Sequence, residues 1–266
     1  MITELKPRTS PANGRLWGAR AGDWADVQEG LLRPVYEEVL QRTRVGAGCA
    51  YLDAGCGAGL AASLAAARGA RVSGIDASEG LLAVARARTP GADFRQGDLE
   101  ALPFDDGAFE VVTGFNSFQY AGNPVIALSE ARRVVRPGGV VAVVTWGRPE
   151  GMEAAILVAA LRPLMPPPPP GAPGPFALSD EAALRAFARE AGLAPTDLLD
   201  VEAPFAFPDE ATALRGLNSS GVAVRAMEHS GEKAVSEAHR NAIAPFRRPD
   251  GSYRLRATFR CLITRH

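Results

Sequence analysis

The sequence predicts a doubly wound α/β fold, a parallel sheet with helices packed on both faces. Three observations predict it. From Ala50 to Val144, short apolar runs alternate with helical runs, the order that builds a parallel sheet. One run, Val140 to Val144, is apolar at every position, as a strand buried on both faces must be. A glycine turn, Gly55-Cys56-Gly57-Ala58-Gly59, joins the first strand to the first helix, the opening of a nucleotide-binding βα unit.

Each element has a local justification. Leu31 to Arg42 reads as an amphipathic helix, with Leu31, Val35 and Val39 four residues apart and Pro34 tolerable only in its first turn. Ala50 to Asp53 is the first strand, and Ala58 to Arg68 an alanine-rich helix stopped by Gly69. Arg71 to Asp76 is the second strand, followed by a helix from Ser78-Glu79 to about Thr89, broken by Pro90-Gly91. Strands follow at Asp93 to Gln96 and Phe109 to Phe115. A helix over Pro124 to Val135 then leads to a turn at Pro137-Gly138-Gly139 and the apolar strand. A helix from Met152 to Arg162 precedes five prolines, Pro166 to Pro170, which exclude helix and central strand. Ser179-Asp180-Glu181 caps a helix ended by Gly192, and Leu193 to Val201 is a sixth strand. Pro208 to Ala244 is largely helical, and Ser252 to Thr264 alternates as one final strand.

Composition narrows the function. A chain of 266 residues, 47% hydrophobic, holds one large α/β domain with a modest cap. A net charge of −1 argues against nucleic acid or an anionic membrane as partner. No stretch reaches the roughly 20 apolar residues of a membrane span, and Met1 to Arg15 lacks the apolar segment of a signal peptide. Three cysteines, Cys49, Cys56 and Cys261, have no metal spacing and suggest a reducing cytoplasm; Cys56 reads as a small packing residue or a nucleophile. No metal site is expected.

The glycine turn carries the ligand. Asp53 stands two residues before Gly55, and the glycines follow G-x-G-x-G rather than the dinucleotide G-x-G-x-x-G. An acid there repels a pyrophosphate and attracts an ammonium group, so the loop suits a zwitterionic nucleoside without phosphate. Asp76, which ends the second strand 17 residues after Gly59, is placed to accept hydrogen bonds from ribose hydroxyls or to cap the next helix. Gly97-Asp98-Leu99-Glu100 follows the third strand, and Leu102-Pro103-Phe104-Asp105-Asp106-Gly107 leads to the fourth.

With these motifs in this order, the chain resembles the class I S-adenosylmethionine-dependent methyltransferases, especially the small-molecule enzymes of ubiquinone and menaquinone biosynthesis. The resemblance is good from Gly46 to Thr145. It implies a Rossmann-like sheet of seven strands, mostly parallel, with an antiparallel last strand. It implies S-adenosylmethionine as cofactor, S-adenosylhomocysteine as product, and a small-molecule acceptor. Carried over residue by residue, it makes Asp53, Ala54, Gly55, Gly57 and Gly59 the cofactor loop, with Asp76 and Ala77 at the ribose. It sets Asp98 and Leu99 at the adenine, and Phe115 and Asn116 beside the methionine moiety. Residues 1–44 become a helical lid bringing Trp17 and Trp24 over the pocket, although both tryptophans equally suit docking a helix on the core. Residues 45–146 form the cofactor-binding core, 147–178 a proline-rich connector, and 203–250 a helical substrate cap.

Gln119 and Tyr120 are candidates to face the acceptor. Among the histidines, His229 beside Glu228 in the cap is the candidate base, with a solvated helix position as the alternative. Apolar residues of the cap (Leu214, Leu217, Val222, Val224, Met227) suit an apolar or aromatic acceptor or ordinary packing. A homodimer is possible. The competing expectations are a protein that binds S-adenosylmethionine without transferring methyl, and a nicotinamide-dependent oxidoreductase. The latter expects a Tyr-x-x-x-Lys pair, and the only lysines are Lys6 and Lys233.

Overall fold

The computed structural model describes residues 8–168 and 174–266. Pro169, Pro170, Gly171 and Pro173, the latter part of the proline-rich stretch, lie outside the described residues. The central sheet has seven strands: β1 (Ala50–Ala54), β2 (Arg71–Asp76), β3 (Asp93–Gln96), β4 (Phe109–Phe115), β5 (Val135–Trp146), β6 (Ala194–Glu202) and the last strand, Thr258–Arg265. Two short strands, β7 (Phe205–Phe207) and β8 (Tyr253–Leu255), make a separate ribbon, so the last strand is β9. The sheet order is β3-β2-β1-β4-β5-β9-β6, parallel from β3 to β5, with β9 antiparallel to both β5 and β6.

The period of two along the inner strands sorts residues to two faces. Ala142, Val144, Phe259, Cys261 and Ile263 face one layer, where Val35, Tyr36 and Val39 of α3 (Arg33–Arg42) pack. Val141, Val143 and Leu262 face the other, against α6 (Pro124–Val134) and α8 (Glu181–Glu190). Four further helices precede α6 in the chain. These are the lid helix α1 (Ser10–Gly18), the short turn α2 (Ala21–Asp23), and α4 (Leu60–Ala67) with α5 (Glu79–Arg88) beside β1 and β2. Side chains cap the helices at Ser78 and Asp180, where the sequence suggests, and also at Asn123. Ser78 Oγ accepts from Leu81 N–H, Asn123 Oδ1 from Ile126 N–H, and Asp180 Oδ1 from Ala183 N–H.

The structure corrects several boundaries. α4 begins at Leu60, because Gly59 is left-handed (φ +80°) and closes a turn onto Cys56 before the helix can start. β5 begins at Val135, and Pro137-Gly138-Gly139 forms a bulge within it, where the pairing shifts from Phe109–Val135 to Val111–Val140. The final strand is not continuous. The hairpin of β6 and β9 breaks at Ala203–Pro204 opposite Arg256–Ala257, then resumes in the same register as β7 and β8. Pro204 cannot donate to the ladder, which suits the break.

The cap therefore rides on the tip of a sheet hairpin, and residues 203–250 open with a strand before turning helical. Its helices are α9 (Glu210–Leu217), α10 (Gly221–Ser230) and α11 (Glu232–Ile243). The stretch 147–178 is more than a connector. Its helix α7 (Ala155–Leu161) packs on α11, with Leu161 against Ala223, Ala226 and Val235.

Candidate functional site

Strand order reverses between β1 and β4, so the loops leaving their C-terminal ends diverge and open a crevice between them. The glycine loop lies in this crevice. Gly55 sits at φ +80°, and a Cβ there would lie 2.3 Å from Ser117 Cβ, so only glycine lets the β4 loop close over β1. At Gly57 a Cβ would meet only Trp24 Nε1 at 3.7 Å and Glu29 Oε1 at 3.8 Å, leaving open space above the main chain.

A cavity extends from this loop toward the cap. Gly55, Gly57, Asp76, Ala77, Asp98, Leu99, Phe115, Asn116, Trp17, Trp24 and Tyr120 all line it. Asp53, Ala54 and Gly59 do not. Asp53 is 1% exposed, Ala54 is fully covered within the sheet, and a Cβ at Gly59 would lie 2.7 Å from Ala85 Cβ, so Gly59 serves the packing of α4 on α5.

Asp76 accepts hydrogen bonds from the N–H groups of Gly57 (2.9 Å) and Ser78 (2.8 Å), and so ties the glycine loop to the next helix. The N-cap itself is Ser78, which leaves Asp76 free of that role. Asp98 accepts from Ser10 of the lid (2.8 Å) and from Glu100 N–H (2.9 Å). Asn116 holds a left-handed backbone (φ +50°), unusual outside glycine, and turns the chain out of β4 into the cavity wall.

The lid is locked in place by close contact. A Cβ at Gly14 would lie 2.3 Å from Ala77 O, and Trp17 packs edge-on to Trp24 (5.0 Å) and Tyr120 (5.5 Å). The two tryptophans thus dock the lid and line the cavity at once. Pairing of Arg20 with Glu232 (2.7 Å) adds a link to the cap.

Charge in this region is strongly one-signed. Asp53 and Asp76 are joined by Glu29, a lid residue that is 3% exposed. Glu29 accepts from Leu60 N–H at the start of α4 (3.1 Å) and pairs with Arg88 (2.6 Å). Burial, then the charges of Glu29 and Asp76, pushes the Asp53 carboxyl up to about 8. Burial also raises Asp76 and Glu29 above the usual carboxylate range, Arg88 pulling Glu29 the other way. Replacing Arg88 by Met should leave Glu29 buried and unpaired. The expected loss is about 3 kcal/mol of stability in urea unfolding at pH 8, and it should shrink as the pH is lowered, because burial raises the Glu29 carboxyl and a protonated Glu29 no longer needs the cation.

The far half of the cavity is apolar. Trp146 stacks on Phe259 (4.8 Å between centroids) and meets Phe176 and Phe205 at its edges. Leu157, Leu161, Leu217 and Val222 complete the walls. No lysine or arginine lines the cavity among the described residues.

Two candidates from the sequence lie elsewhere. His229 is exposed at the C-terminal end of α10 and contacts Ser230 (3.1 Å), because its helical phase turns it to solvent. Gln119 donates to Asn116 (3.1 Å) and does not line the cavity. In their place stands His239 of α11, 2% exposed, lining the cavity and hydrogen-bonded through Nδ1 to Asn218 Oδ1 (2.8 Å). The signal for it was present: Val235, His239, Ala242 and Ile243 share one helical face, so His239 lies on the buried stripe. Cys56 is 5% exposed, and burial raises its thiol well above the ordinary value, which suits packing rather than nucleophilic attack.

Residues 52–143 match the family model of a methyltransferase domain. Over 202 residues the chain is 32% identical to a malonyl-[acyl-carrier protein] O-methyltransferase of Erwinia billingiae, an alignment covering 76% of each chain. The chain belongs to the S-adenosylmethionine-dependent methyltransferase family. A further member, a probable S-adenosylmethionine-dependent methyltransferase of Mycolicibacterium smegmatis, is 40% identical over 114 residues; that match spans only 43% of the relative's length. Among solved structures, a methyltransferase-like protein of Bacillus halodurans shares the fold of this family member at a TM-score of 0.58 and 18% identity, covering 86% of this chain and 97% of that one. The [4+2]-cyclase SpnF shares it at 0.56 and 22%, covering 87% and 80%. Family membership implies that the chain binds S-adenosylmethionine.

Proposed function

We propose that the chain transfers the methyl group of S-adenosylmethionine to a small apolar or aromatic acceptor. One observation carries the reading. The glycine loop is flanked by two buried carboxyl groups, Glu29 and Asp53, and by the half-buried Asp76 that lines the cavity, offset by the guanidinium of Arg88. Such a site favours a cationic ligand and opposes a pyrophosphate. The donor set fits S-adenosylmethionine: Asp76 retains lone pairs for ribose hydroxyls, Asp98 and Leu99 suit the adenine, and the loop receives the charged methionine end. When bound, the cofactor supplies an electrophilic methyl on a cationic sulfur that departs neutral. What the protein adds is position and exclusion of water, and orientation alone is worth roughly 7–11 kcal/mol.

The stack of Trp146 on Phe259 and the leucines of α7 and α9 favour a flat apolar acceptor. A malonyl group on a carrier protein, the substrate in the names of some relatives, is less well matched, since among the described residues the cavity offers no arginine or lysine to a carboxylate. The name of the SpnF structure shows that this fold also houses a cyclase, so methyl transfer itself has to be measured. Incubation with S-adenosylmethionine and a panel of naphthols, quinols and aryl amines should release S-adenosylhomocysteine with at least one of them. Tight cofactor binding with no S-adenosylhomocysteine from any acceptor would favour a non-methylating role.

A further inference from the structure

We infer that the acceptor carries an aromatic hydroxyl, and that His239 Nε2 holds this hydroxyl and takes its proton. The inference rests on the methyltransferase reading and adds the chemical class of the methylated atom. Among the described residues, His239 is the one nitrogen base on the cap side of the cavity. Leu157, Leu161, Leu217, Val222 and Phe259 offer a substrate only surface, and the hydroxyl of Ser220, which also lines the wall, already donates to Leu217 O and accepts from Ala223 N–H. Its ring is fixed from behind by a short chain of hydrogen bonds. Asn218 Nδ2 donates to Ser236 Oγ (2.9 Å), so the Asn218 carbonyl oxygen is left to accept from the imidazole at Nδ1 (2.8 Å). This assigns the proton to Nδ1 and leaves Nε2 an unprotonated acceptor, with no hydrogen-bond partner among the described residues.

Asn218 is the C-cap residue of α9, its N–H held by Leu214 O (2.9 Å), and Ser236 belongs to α11, so the imidazole is oriented where two cap helices pack. Burial lowers the His239 pKa to about 4, which keeps the ring neutral and able to accept at neutral pH.

The chemistry balances. The acceptor oxygen forms a bond to the methyl carbon, the carbon–sulfur bond breaks with its electron pair left on sulfur, and the hydroxyl proton passes to Nε2. One positive charge enters on the sulfonium and one remains on the imidazolium, so the site's net charge is unchanged through the step. The proton leaves to water when product departs.

The test uses the full chain with 2-naphthol and naphthalene, two probes that differ by one hydroxyl, titrated in the presence of S-adenosylhomocysteine. The wild type should bind 2-naphthol at least 10-fold more tightly than naphthalene, and His239→Phe should abolish the preference. In single turnover with 2-naphthol, His239→Gln should form S-adenosylhomocysteine at least 100-fold more slowly than the wild type. S-Adenosylmethionine affinity and thermal stability, measured on both variants, should stay close to wild type, which excludes misfolding. Equal or absent binding of the two probes by a wild type that binds S-adenosylmethionine overturns this inference alone. So does a preference that survives in His239→Phe, or a wild-type rate no faster than His239→Gln. Failure of the wild type to bind S-adenosylmethionine overturns instead the reading beneath it.

Discussion

Asp76→Ala should weaken S-adenosylmethionine binding by 10- to 100-fold, about 1.4–2.7 kcal/mol. The carboxylate does two things at once. Its oxygens hold the N–H groups of Gly57 and Ser78, at 2.9 and 2.8 Å, and so fix the glycine loop against the start of α5. Its remaining lone pairs face the cavity, where a nucleoside's hydroxyls would lie. Hydrogen bonds to a charged group are worth about 1.5–3 kcal/mol each, and alanine removes all of them. Asp76→Asn keeps one acceptor oxygen and should fall between the two. Calorimetric titration gives the affinities, and thermal melts of the ligand-free variants separate a lost contact from a disordered loop. Affinity within threefold of wild type for Asp76→Ala would mean that the cofactor lies elsewhere in the cavity.

Asp53→Asn should change two properties in opposite directions. In the folded protein Asp53 is protonated up to about pH 8, whereas in the unfolded chain it ionises near 4. Between those values the native state holds a proton that the unfolded state lacks, so stability falls as pH rises from about 4 to about 8 and then levels. Asparagine cannot ionise. It should raise the stability of the ligand-free protein at pH 8 by on the order of 2–4 kcal/mol and flatten the slope.

A cationic ligand reverses the sign of the effect. It favours the ionised carboxylate, so binding should release a proton and tighten with pH, by up to tenfold per pH unit, until about pH 8. Asp53→Asn should lose this dependence and bind more weakly at pH 8. Urea unfolding and titration across pH 5 to 8.5 read both effects. A variant that is both less stable and equally avid would show that Asp53 is a structural residue with no electrostatic role. The arrangement has a physical sense: buried carboxylates that destabilise the empty site are relieved by the ligand's charge, so part of the binding strength is stored in the apo protein.

Much of the fold was legible because it is written locally. The glycine turn, the helix starts at Ser78 and Asp180, and the apolar run of β5 each need only a few neighbouring residues to be recognised. The spacing of strands then leaves few ways to wind a parallel sheet. The antiparallel last strand came from resemblance to the family rather than from the residues themselves. What local pattern missed depends on distant contacts. The break between β8 and β9 is invisible in Ser252 to Thr264, which alternates throughout; it lies opposite Pro204, where the Arg256 N–H donates to Glu153 and its C=O accepts from Ala154 N–H.

The pairing of Glu29 with Arg88 joins residues from lid and core, and no spacing rule connects them. The acids divided in the same way. Asp76 and Asp98 line the cavity as their positions after strands suggest, whereas Asp53 is sealed beneath the loop and acts by charge alone. The histidines show the limit most clearly. His229 and His239 sit on adjacent cap helices, and choosing between them requires the phase of each helix. That phase was readable for α11 from Val235, Ala242 and Ile243, and for α10 from Arg225, Glu228 and His229, which share its exposed face.

The most direct test of the account is calorimetric titration of the wild-type chain with S-adenosylmethionine at pH 8, followed by the same titration with NADH. The account predicts one micromolar site for S-adenosylmethionine, a release of protons on binding at pH 6 to 7, and no heat with NADH. Binding of NADH in place of S-adenosylmethionine would contradict it, and would make the glycine turn a pyrophosphate loop despite the three carboxyl groups beside it.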